Sequence, residues 1–148
     1  MLKFKDLTDV CREYLLQQLN NVSVEAGKYG EMPSIAPCIW IYAEPTRNTI
    51  TAANYLPAIR RAKVTFFAIV NSGLNKTDAA NQSIELIELV EEKIFSEQFD
   101  NFLNQHPKNV NQNITVINYT DSEQPLNFDA IYSDFAVSYL EVWMDYSR

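Results

Sequence analysis

The chain has 148 residues, 47% hydrophobic and 21% charged, with 19 acidic side chains against 12 basic ones and a net charge of −7. That length supports one domain, residues 1–148, burying roughly 70% of the surface its unfolded form exposes; the composition excludes collagen-like, disordered and disulfide-scaffold classes. A pI near 4.6 argues against a broad basic surface for duplex nucleic acid, because phosphate binding draws on clustered Lys and Arg.

Phe4, Leu7, Val10, Cys11, Tyr14, Leu15 and Leu19 recur at three- and four-residue steps and predict an amphipathic helix over 4–20, closed by Asn20 and Asn21. Val22 to Glu25 starts a short strand before the turn-rich Gly27 to Pro33, and Pro37 to Ala43 has the β-branched and aromatic content of a second. Glu44 to Pro57 lacks sustained periodicity and reads as a long loop or a short irregular hairpin. Ile59 to Asn71 alternates with the period of a half-buried strand and turns apolar on both faces from Phe67 onward.

Asn71-Ser72-Gly73 breaks that strand. Asn75, with Asp78 three residues on, marks a helix start whose side chain caps orphan amides and whose carboxylate meets the positive dipole end. Ala79, Ala80, Ile84, Ile87, Val90, Ile94 and Phe95 form the apolar stripe of this second helix, opposite Glu85, Glu88, Glu91, Glu92 and Glu97. Phe99, Phe102 and Leu103 extend it by another turn or two, up to His106-Pro107. Asn113 to Thr120 reads as a strand and Asp121 to Phe128 as a turn region. Ala130 to Tyr146 reads as one long terminal strand, bent or bulged near Ser138. The order α-β-β-β-α-β-β predicts an α+β domain: a mostly antiparallel sheet of four to five strands, covered on one face by two main helices.

No residue constellation points to catalysis. His106 is the only histidine and lies in a polar turn. Cys11 and Cys38 sit far apart in apolar patterns, as buried free thiols do. Gly27, Gly30 and Gly73 cannot build a phosphate loop. Asp134 and Glu141, on one strand, would point to opposite faces more than about 20 Å apart. No enzyme activity, cofactor or metal is expected. The longest apolar stretches are interrupted by polar residues, and Met1 to Asp9 lacks the apolar run of a signal peptide, so neither membrane insertion nor export by that route is expected.

Charge is unevenly spread. Residues 1–76 hold nine basic and six acidic side chains, residues 77–148 three basic and thirteen acidic, or +3 and −10. Such polarity favours head-to-tail self-association unless folding mixes the charges on one surface. Arg60, Arg61 and Lys63 form the tightest basic group, and Arg47 and Tyr55 lie in the long loop before it. Glu88 and Glu92 represent the acidic helix face, which reads as a solvated surface or as a docking surface. These seven residues are the candidate interface. Trp40, Tyr42, Tyr132, Phe135, Tyr139, Trp143 and Tyr146 concentrate in two predicted strands, where most serve the core and a few could anchor a partner.

The layout of Phe4 to Leu19, the Pro37-Cys38-Ile39-Trp40-Ile41-Tyr42 strand, Val64 to Val70, the Thr77 to Ser96 helix and the closing Ser138-Tyr139-Leu140-Glu141-Val142-Trp143 resembles the tail-terminator and tail-completion proteins of long-tailed bacteriophages and prophages. The resemblance covers most of the chain and rests on layout; the Asn-rich stretch Asn104 to Asn113 departs from it. It implies a non-enzymatic, commonly hexameric ring that caps the tail tube and joins tail to head. The implied partners are further copies of itself, the tail-tube protein and a head-completion protein, with at most incidental DNA contact in the ring lumen. Its place would be the bacterial cytoplasm during assembly and then the virion tail. The alternative is a small acidic adaptor or inhibitor-type module that presents the acidic helix to a basic partner.

Overall fold

A computed structural model describes residues 4–26, 37–45, 50–51, 57–71, 73, 75–107, 113–118, 127–132 and 135–147. In chain order these form α1 (Phe4–Gln18), β1 (Ser23–Ala26), β2 (Cys38–Pro45), β3 (Ile50–Thr51), β4 (Pro57–Asn71), α2 (Lys76–Ile94), α3 (Glu97–Gln105), β5 (Asn113–Asn118), β6 (Asn127–Tyr132) and β7 (Phe135–Ser147). The architecture is α+β. Five strands run β1-β2-β4-β7-β5, with β3 pairing on β4 and β6 on β7. Every pairing is antiparallel except β1 with β2.

Local chemistry sets the boundaries. Leu19 N–H closes the last turn of α1 on Leu15 O at 2.9 Å, and Asn21 adopts φ 59° to reverse the chain, a left-handed conformation that Asn tolerates better than most residues. Gly73 takes φ +52° between β4 and α2, where a Cβ would be strained. Asn75 Oδ1 accepts from Asp78 N–H at 3.1 Å and caps α2. The predicted extension of α2 is instead a separate helix. Ser96 leaves helical geometry at φ −138°, its hydroxyl donating back to Lys93 O and accepting from Phe99 N–H, so one side chain ends α2 and starts α3.

The single terminal strand predicted over 130–146 is corrected to two, β6 and β7, paired as Tyr132 with Phe135 and Phe128 with Ser138. The predicted turn 121–128 accordingly overlaps the first residues of β6. Ser133 and Asp134, the intervening pair, lie outside the described residues, as does the carboxylate pairing considered for Asp134.

The core lies between the helices and one face of the sheet. Ile39 and Ile41 of β2, Ala62, Val64, Phe66 and Ala68 of β4, and Leu140, Val142 and Met144 of β7 meet Leu7, Val10, Cys11, Tyr14 and Leu15 of α1, Ile87, Val90 and Ile94 of α2, and Phe99 and Leu103 of α3. Each large aliphatic or aromatic side chain so buried contributes about 1.5–3 kcal/mol. Tyr14 holds α3 against α1, its ring centroid 4.8 Å from Phe99 and 5.1 Å from Phe102. At the other end of the core, small residues replace large ones. Ala79 and Ser83 of α2 and Ala68, Ala136 and Ser138 of the sheet are all buried.

One main-chain acceptor of β1 is taken by a side chain. Arg12 of α1 donates from Nε to the Val24 carbonyl at 2.7 Å.

Candidate interaction surfaces

The second face of the sheet follows from register. Residues directly opposite in an antiparallel pair share a face, so Trp40, Tyr42 and Glu44 of β2 lie beside Phe67, Thr65 and Lys63 of β4, and these beside Tyr139, Glu141 and Trp143 of β7. All but the buried Thr65 and the exposed Glu44 are half-buried. Among the described residues no helix packs on this face. Three rings form a ribbon across it: Tyr42 meets Phe67 edge-on at 5.5 Å, and Phe67 meets Tyr139 at 6.0 Å.

Lys63 sits in this face rather than in a free basic patch. Its Nζ lies 3.6 Å from Glu44 Oε2 and 4.0 Å from Glu141 Oε1, so its charge is compensated by neighbours that sequence alone separates widely. In register, Arg61 stands opposite Asp145, and Arg60 opposite Tyr146. Glu88 and Glu92 are exposed on α2. Arg47 and Tyr55 lie outside the described residues.

The two cysteines are buried and free. Burial pushes the Cys11 thiol far above its usual range. Burial also pushes the Cys38 thiol up to about 11, with the Glu25 carboxylate adding to the shift and the Ser23 hydroxyl and Trp40 indole opposing it. The Trp40 indole N–H is itself buried and makes no full hydrogen bond. His106 Nε2 lies 3.0 Å from Glu13 Oε2, joining the end of α3 to α1. Among the described residues no three His, Cys, Asp or Glu side chains gather as a metal site, and no helix is long and apolar enough to cross a membrane.

Compared with models of known protein families and with curated proteins, the chain matches none. Geometry therefore carries the functional reading.

A groove of about 440 Å³ opens where α2 crosses the Asn71 end of β4. Val22, Pro37, Val70, Leu86 and Leu89 form its apolar walls, and Asn71, Gln82 and Glu85 supply polar groups. Leu89 is 39% exposed. Sequence periodicity could not find this groove, because its walls come from four separate parts of the chain. The one available signal was Leu89 itself, an apolar side chain on the glutamate-bearing side of α2.

Proposed function

We propose that the chain is a non-enzymatic tail-terminator or tail-completion protein of a long-tailed bacteriophage or prophage, working as a ring on the end of the tail tube. The observation that carries this reading is the sheet face described above, where Trp40, Tyr42, Phe67, Tyr139 and Trp143 share one side, half-buried, opposite the helix-packed side. Aromatic side chains at this partial burial are the usual anchors of protein contacts, since they cover much area at low entropic cost. Charge polarity along the chain supports association between copies. Partners under this reading are further copies, the tail-tube protein and a head-completion protein.

Light scattering across a concentration series, with and without a tail-tube protein, tests the proposal. A closed species at a fixed multiple of the 17.0 kDa chain is expected, shifting toward monomer in Phe67→Lys. A strict monomer in both conditions overturns it. The exposed carboxylates Glu85, Glu88 and Glu92 on α2 favour the adaptor reading as the second choice. That reading expects a monomer whose binding to a basic partner weakens with salt.

A further inference from the structure

Beside its core stripe, α2 turns a second flank to the groove. Gln82, Glu85, Leu86 and Leu89 stand at i, i+3, i+4 and i+7 and line it together, over about 10 Å of helix at about 1.5 Å per residue. Val22, Pro37 and Val70 face them. Among the described residues, Leu89 and Leu16 of α1 are the exposed large apolar side chains, and Leu89 is the one set in a groove.

Carboxylates surround this apolar seat. Glu85 and Glu92 are the helical neighbours of Leu89, at i−4 and i+3, with Glu88 between them, and all three are exposed. None is ion-paired with a described cation. No strand edge lines the groove, because β4 lies between β2 and β7 and is paired up to Ile69 with Cys38 and up to Asn71 with Phe135. Pro37 lacks an amide hydrogen, and its carbonyl accepts from Ser23 N–H at 3.2 Å. Strand addition is therefore disfavoured there, which leaves side-chain packing as the mode of recognition.

We infer that the groove binds an amphipathic helical segment of a partner protein, aliphatic on one side and bearing Lys or Arg beside those anchors. The aliphatic side chains enter between Val70, Leu86 and Leu89, in the manner of helices that lie in apolar grooves. The cations reach Glu85, Glu88 and Glu92. The inference is independent of the ring reading. To the adaptor reading, which asks only for an acidic surface, it adds an apolar seat.

A synthetic peptide of about 15 residues, long enough to form a helix, tests it against the full chain. The peptide carries leucines at helical spacing flanked by lysines; one twin has glutamate for each lysine, another serine for each leucine. Anisotropy of the labelled peptides gives affinity, and amide chemical shifts give the site. The leucine–lysine peptide is expected to shift the amides of Val70, Asn71 and Gln82 to Leu89, with both twins about tenfold weaker or worse. Leu89→Asp and E85K/E88K, all at exposed positions, are each expected to weaken binding about tenfold with circular dichroism unchanged. If Leu89→Asp has no effect, or the serine twin binds equally, an acidic surface alone is at work and the inference is overturned while the adaptor reading stands. Equal binding by the glutamate twin, or by E85K/E88K, overturns it as well. So does the absence of binding at about 1 mM peptide. Concentration-dependent shifts at the same amides in the chain alone would make a second copy the occupant and overturn it too. Light scattering reads ring formation separately, so the ring reading stands or falls on its own.

Discussion

Ser138 of β7 donates its hydroxyl hydrogen to Ser83 of α2 across 2.8 Å, because Ser83 has already committed its own to the Ala80 carbonyl at 2.9 Å. Both side chains are wholly buried. The pair joins helix to sheet where small residues bring their backbones close, and the geometry fixes which hydroxyl depends on which.

That directionality predicts unequal single substitutions. Ser83→Ala strands a buried donor on Ser138 and should cost about 1–3 kcal/mol, while Ser138→Ala leaves Ser83 bonded to Ala80 and should cost about 1 kcal/mol. The double variant should recover much of the Ser83→Ala loss. Urea melts of the four proteins measure the cycle, and strictly additive losses would contradict it.

Attachment of α3 depends on Phe99 and on its cap. Phe99→Ala opens a cavity beside Tyr14 and should cost about 3–5 kcal/mol. Ser96→Ala removes a cap and should cost about 1 kcal/mol. Hydrogen exchange should show the loss in Ser96→Ala concentrated at the amides of α3, with the β4 and β7 amides nearly unchanged.

Lys63 should matter little to folding. A half-exposed ion pair contributes about 0–1 kcal/mol, and thermal melts of Lys63→Met should shift correspondingly little. A large loss would mean that Glu44 and Glu141 repel strongly once the cation is gone.

The thiols predict alkaline lability. Cys11 and Cys38 have folded pKa values raised above the ordinary value of 9.0, Cys38 to about 11, so the folded chain holds protons that the unfolded chain releases. Stability from these groups is fully present below about pH 9 and falls as pH rises toward 11. Cys11→Ala should flatten the alkaline limb of a pH–stability curve. At pH 8 the folded protein should resist a thiol reagent, with both cysteines reacting only in denaturant.

Helices α1 and α2 and strand β4 were legible because each repeats its apolar residues at one period over many residues, and Asn75 marks a start that the structure uses. The β6–β7 division was not, because Ile131 to Met144 is largely apolar on both sides and its alternation runs through Ser133-Asp134, so the turn-forming character of that dipeptide is masked by the pattern around it. Ser96 hid within a continuing helical stripe for a similar reason. Its capping role depends on leaving helical geometry, which Phe99 and Leu103, recurring at helical spacing, do not disclose. The candidate surfaces were the least legible. Lys63 belongs to a triad only through strand register, and the groove unites Val22, Pro37, Val70 and Leu86 through tertiary packing alone.

The hydrogen bond from Arg12 to Val24 bears on what happens when many copies crowd together. Backbone zippers of the kind that build fibrils grow by adding strand after strand to an edge whose amides and carbonyls are free. At β1 one such carbonyl is already spent on a guanidinium rooted in a helix. A strand arriving at β1 would have to displace that guanidinium before it could use the Val24 carbonyl, which raises the cost of main-chain pairing there.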